Sequence, residues 1–176
     1  MRLSLIFMMC SIAGLAGPIQ WSGNGHFYEV VVSDADGSSW DAARNAAAAR
    51  GGYLVTITSA LENDFVWNLV QQFPTIQPWT GGFQVPGSVE PDGGWSWITG
   101  EPFIYTNWAP AEPNNVGGAE NFLGFKNSAE WNDLSGLSGG YVLEIGTQVP
   151  EPNTAILILV GLALLLRRSL VHCQQN

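Results

Sequence analysis

Five residues in the second half of the chain have side chains suited to holding a cation. Glu112, Asn114, Glu120, Asn132 and Asp133 supply three carboxylates and two amide carbonyls. Calcium takes six to eight oxygen ligands at about 2.3 to 2.6 Å, so five side chains leave room for a backbone carbonyl and for two ligands from outside. Magnesium demands a stricter octahedron and retains water, so a mixed amide and carboxylate set favours calcium. Pro113 stands between two of the donors, where it restricts the loop and admits a cis peptide bond. Glu-Pro-Asn or Trp-Asn-Asp alone is ordinary turn chemistry. The signal lies in the joint spacing, with Glu120 six residues after Asn114 and Asn132 twelve after Glu120.

The composition removes several competing chemistries. The 176-residue chain has 15 acids against 6 bases, and between Pro18 and Pro150 the only bases are Arg44, Arg50 and Lys126. Such a surface repels phosphate and offers no basic stripe, so nucleic acid is not an expected partner. The two cysteines, Cys10 and Cys173, lie in the terminal segments, and His26 is the one central histidine. The central region therefore has no disulfide, no thiolate metal site, no cysteine nucleophile and no zinc cage. Glu112 and Glu120 taken as a glycosidase acid and base are the enzymatic alternative. Two asparagines in the same cluster suit a metal better, and His26 falls in a predicted strand away from every motif. No enzyme is expected.

The elements that must position this cluster read as follows. Residues 26–34 alternate and are rich in β-branched and aromatic side chains, which predicts a strand. An alanine-rich helix follows, with Ser38 and Asp41 at capping-box spacing and Gly51 ending it. Residues 53–59 predict a short strand. A second helix begins at Ser59, with Glu62 three residues on, and Leu61, Phe65, Leu69 and Phe73 recur as a buried stripe. Residues 74–118 lose helical periodicity, and the run predicts a long ordered loop with short strands near 78–85 and 94–100. Its tryptophans argue against disorder. Residues 121–126 and 139–146 predict closing strands. Strand, two helices, loop and strands make an α+β layout.

Both ends are apolar. Residues 1–17 carry one positive residue, an apolar run and small residues, the pattern of a secretory signal peptide, with cleavage expected after Ala16 or Gly17. At the other end, Ala155–Leu166 is a 12-residue apolar run closed by Arg167 and Arg168. A membrane-spanning helix needs about 20 such residues. The run follows Val149-Pro150-Glu151-Pro152, and the order of motif, apolar run and basic stop over residues 149–170 resembles the PEP-CTERM sorting tail of Gram-negative bacteria. That resemblance implies export, transient anchoring in the inner membrane with the arginines cytoplasmic, processing by an exosortase-type enzyme, and a mature form at the cell surface or in the extracellular matrix.

Residues 21–146 resemble a C-type lectin domain. The two helices with Gly51-Gly52 and the strand between them, the Trp79-Thr80-Gly81-Gly82 segment, and the tryptophan-rich run ending in Glu112-Pro113-Asn114 carry the likeness. So do Trp131-Asn132-Asp133 and the final strand. The resemblance implies a C-type lectin-like fold, with two helices, small antiparallel sheets and a long calcium-binding loop region. It also implies that Glu112, Asn114, Glu120, Asn132 and Asp133 hold the principal calcium and bind the sugar. Glu-Pro-Asn implies mannose-type ligands: mannose, N-acetylglucosamine, fucose or glucose, in a glycan or exopolysaccharide. The family's four cysteines align with Ala47, Phe122, Gly136 and Leu143, so the aromatic core must replace two disulfides. Asn115 stands where such lectins often have Asp, which weakens an auxiliary calcium site. The alternative is a protein-binding or matrix-structural domain whose calcium only rigidifies the loop.

Overall fold

A computed structural model describes residues 17–34 and 37–146. Both apolar terminal segments read as targeting signals lie outside the described residues, except Gly17. Among the described residues no helix is long and apolar enough to cross a membrane.

In chain order the elements are β1 (Ile19–Gln20), β2 (Phe27–Val32), α1 (Trp40–Ala49), β3 (Tyr53–Leu54), α2 (Ala60–Val70), β4 (Trp79–Gln84), β5 (Trp95–Trp97), β6 (Phe122–Phe125), β7 (Trp131–Leu134) and β8 (Gly140–Ile145). This is the α+β, C-type lectin-like layout. The strands join into one eight-stranded sheet of order β1-β2-β8-β4-β6-β7, with β3 added on β8 and β5 on β4. Its pairings are antiparallel, apart from the parallel register of Trp79 with Tyr141 between β4 and β8.

Two local expectations are corrected. The cap of α1 is Ser39, whose side chain accepts from the Ala42 amide at 3.2 Å. Ser38 is instead drawn into a bridge with Ser138, and its carbonyl accepts from the Trp79 indole at 2.8 Å. The cap of α2 is Ser59 as expected, and Phe65, Leu69 and Phe73 of the expected stripe pack half-buried against the core, but Leu61 does not and the most deeply buried positions lie elsewhere. Glu62, Asn63, Val66 and Val70 are buried while Leu61 is 74 % exposed. Hydrophobicity alone passes over Glu62 and Asn63 because both are polar. They are buried because other elements satisfy them: Tyr28 donates to Glu62, and the Trp131 indole donates to Asn63.

The core has two clusters. One joins Tyr28, Ile57, Val66, Trp95, Trp97, Phe125 and Trp131. The other joins Trp40, Ala47, Leu54, Trp79, Tyr141 and Leu143. Ala47 and Leu143, two of the positions aligned with family cysteines, are fully buried in the second cluster. Phe122, at a third, stacks on Trp40 with ring centres 4.8 Å apart. Apolar contact thus replaces covalent cross-links. Gly81 and Gly82 are required by closeness: a Cβ on them would come 2.5 Å from the Leu54 carbonyl and 2.7 Å from Leu123 Cβ.

Candidate functional site

The loop region is held from below by aromatic side chains. Trp95 meets Trp108 at 4.8 Å and Trp97 meets Phe103 at 5.0 Å. Trp131 lies edge-on to both Trp97 and Trp108. Because Trp131 is fully buried, the two residues after it have fixed places. Main-chain bonds tie the loop to the same residue. Trp131 donates to the Asn107 carbonyl at 2.8 Å, and Ala109 donates to the Trp131 carbonyl at 2.9 Å. Asn63 of α2 and Asn107 both donate to the Ala129 carbonyl, which locks the turn leading into β7.

Asp133, fully buried on β7, organises the upper loop. Its carboxylate accepts from the Asn114 amide at 3.0 and 3.1 Å and from the Asn115 amide at 2.7 Å. The chain then doubles back through Gly117 and Gly118, both at φ +71°, a conformation that favours glycine. This return brings the Glu120 carboxylate to the Val116 amide at 2.8 Å and the Glu120 amide to the Asn115 side-chain oxygen at 3.0 Å. Asn115, where the lectin pattern often has Asp, therefore serves the turn. The Glu112–Pro113 bond is cis, as its position in the loop admitted.

Of the five sequence-predicted donors, hydrogen bonds join Asn114 directly to Asp133, and Glu120 to the backbone between them. Glu112 and Asp133 are close enough to Glu120 for their charges to act on it. Burial first, then Asp133 and Glu112, raise Glu120 above the ordinary glutamate value, partly offset by the Val116 amide. Asn132 follows Trp131 in β7 and pairs in register with Gly124 of β6. Two of the five carry buried oxygens with no hydrogen-bond partner, Glu112 Oε2 and Asn132 Oδ1. Such orphaned acceptors are costly. Hard oxygen donors, mutually repelling carboxylates and two unpaired acceptors fit a hard divalent cation. Among the described residues no three His, Cys, Asp or Glu side chains group as metal ligands, and two of the donors here are amides.

Sequence reasoning missed one contact. Lys126 Nζ donates to Glu112 Oε1 at 2.7 Å, with the lysine side chain 39 % exposed and the glutamate 6 %. The only signal was a lysine near an oxygen-rich loop, and nothing in its position along the chain indicates which carboxylate it reaches.

A second acidic centre was also missed. Glu62 and Glu144 are each 2 % exposed. Glu144 Oε1 lies 2.6 Å from His26 Nδ1 and accepts from the Tyr28 and Tyr53 hydroxyls, and Oε2 accepts from the Thr56 amide. Glu62 accepts from the Tyr28 hydroxyl, the Asn24 amide group, and the Thr58 amide and hydroxyl. Burial raises Glu144, with Glu62 adding to the shift and the His26 and Thr56 bonds opposing it. Burial also keeps Tyr28 and Tyr53 protonated far above the ordinary tyrosine value.

The family model described as the lectin C-type domain matches residues 36–142. Pulmonary surfactant-associated protein D of Bos taurus is 39 % identical over 83 residues, covering 47 % of this chain and 21 % of that protein. Ladderlectin of Oncorhynchus mykiss is 34 % identical over 103 residues, covering 55 % of this chain and 51 % of its own length. The chain thus spans a fifth to a half of the length of these relatives. Among solved structures, the cow CD23 carbohydrate-recognition domain, determined in the presence of a GlcNAc2Man3 oligosaccharide, is 28 % identical. It superposes with a TM-score of 0.58 over 70 % of this chain and 89 % of that one. Human lithostathine, at 19 % identity and a TM-score of 0.62 over 74 % of this chain and 98 % of that one, shares the fold.

Proposed function

The chain belongs to the C-type lectin domain family, and on that premise we propose that it binds sugars through calcium held by Glu112, Asn114, Glu120, Asn132 and Asp133. The observation that carries this reading is the pair of buried, unpartnered oxygens, Glu112 Oε2 and Asn132 Oδ1, beside carboxylates that repel one another. When bound, calcium supplies positive charge and open coordination positions for two vicinal hydroxyls of a sugar. The chain's own residues do the rest. Carboxylates accept the hydroxyl protons, and the asparagine amides donate to the hydroxyl lone pairs. The order of acceptor and donor in Glu112-Pro113-Asn114 selects mannose-type hydroxyl geometry. The aromatic platform keeps these groups in place before any ligand arrives. This is chemistry of binding, with no group assigned to bond cleavage.

The terminal segments support an exported protein, with residues 1–17 removed as a signal peptide and residues 149–170 acting as a sorting tail at the inner membrane. The mature domain then meets a glycan or exopolysaccharide at the cell surface or in the matrix. Intact-mass measurement of protein recovered from the cell exterior tests both cleavages. Retention of both segments overturns this part.

The decisive experiment is a calorimetric titration with methyl mannoside in calcium and then in EDTA. Heat that disappears with EDTA is expected. Calcium uptake without sugar heat overturns the sugar reading in favour of a domain whose calcium only rigidifies the loop. The Lys126–Glu112 ion pair, which already braces that loop, favours this second reading.

A further inference from the structure

Lys126 is the single lysine of the chain, and its ammonium sits on one of the proposed calcium ligands, 2.7 Å from Glu112 Oε1. The Glu112 side chain is 6 % exposed, and its other oxygen is buried without a partner. A buried carboxylate needs a counter-charge. Lys126 supplies one within the chain, on a carboxylate that the proposed calcium site would also use. Its backbone is fixed, since the Lys126 amide donates to the Glu130 carbonyl at 2.9 Å. The long stem leaves the ammonium free to swing. The lysine side chain is 39 % exposed, so its ammonium can move from Glu112 into water.

Building on the calcium reading above, we propose that Lys126 is the resident counter-ion of the metal site. Its ammonium neutralises Glu112 while no divalent cation is bound and turns out into solvent when one binds. Metal uptake is then an exchange of one cation for another. The exchange keeps the metal-free loop folded and sets calcium affinity below what the five donors alone would give. It is a property of this chain's own lysine, separate from which sugar follows.

The test compares wild type with Lys126→Met, Lys126→Gln and Lys126→Arg, using calcium alone as the probe. Calorimetric titration reads affinity, and thermal melting in EDTA reads the metal-free fold. Lys126→Met and Lys126→Gln are expected to bind calcium about tenfold more tightly, a factor worth ~1.4 kcal/mol, and to melt at lower temperature in EDTA. Lys126→Arg keeps the charge and is expected to restore both values towards wild type. If Lys126→Met is unfolded in EDTA, Lys126→Gln carries the affinity comparison. Equal or weaker calcium binding by both neutral variants overturns the counter-ion role, whatever the sugar result. Calcium uptake by wild type with no sugar binding overturns the sugar reading alone. No calcium uptake by any variant overturns both.

Discussion

Two acidic centres lie in one small domain, and they are finished differently. At Glu62 and Glu144 every carboxylate oxygen has a partner within the chain: tyrosine hydroxyls, a histidine nitrogen, backbone amides and a threonine. At Glu112, Glu120 and Asp133 the backbone satisfies part of the cluster and Lys126 another part, while Glu112 Oε2 and Asn132 Oδ1 are left over. A saturated centre has nothing to offer a ligand and serves to join β2, α2 and β8. An unsaturated one stores unfavourable free energy that a ligand releases. What sets the second centre apart is that its two unsatisfied oxygens fall within one acidic cluster, whereas the other orphaned oxygen among the described residues, Gln84 Oε1, stands at the end of β4.

The sharpest way to break this contrast is Glu62→Ala. It empties a buried position and takes from the Tyr28 hydroxyl its 2.7 Å acceptor, and a loss of about 3 kcal/mol is expected in chemical denaturation, in calcium and EDTA alike. If stability holds, the first centre is not structural. Next in size is chelation. Calcium at a hundred times its dissociation constant stabilises by about 2.7 kcal/mol, so EDTA should lower the melting temperature by several degrees. A melting temperature unmoved by EDTA removes the metal from the second centre.

A smaller effect is expected from pH. Glu120 and Glu144 have folded-state values raised above the ordinary one. Their stabilising contribution is therefore fully present below the ordinary glutamate value and is lost as pH rises through the raised values. Calcium needs the ionised form of Glu120. Melting temperatures in calcium and in EDTA should converge as pH falls through the Glu120 range, and parallel curves would show that Glu120 is not a ligand. The smallest expected change in stability is that of Asn132→Ala. Removing an oxygen that has no partner should alter the metal-free fold by less than about 0.5 kcal/mol while abolishing sugar binding in calorimetry. Equal sugar binding by this variant places the site elsewhere.

Much of the fold was legible along the chain because its determinants are local. Ser59 capping α2, Gly51 ending α1 and the alternating β2 each depend on neighbours a few residues away. The five proposed oxygen donors fall within one loop and one strand, so residue type and spacing were enough to single them out. Where burial is decided by distant partners, local reading failed. On α2, Leu61 is exposed and Glu62 and Asn63 are buried because Tyr28 and Trp131, far away in sequence, satisfy the two polar residues. The cap of α1 moved to Ser39 because Ser138 claims Ser38.

The sequence by itself determined the α+β layout, the oxygen-rich loop and a core without disulfides, since composition, periodicity and spacing act over short stretches. Only the tertiary structure decided which acids are satisfied. Glu62 and Glu144 are separated by most of the domain, and Lys126, just after β6, reaches back over the whole Gly117–Gly118 turn to Glu112. Whether a carboxylate is saturated depends on what folding brings to its lone pairs, and that is a property of space rather than of sequence order.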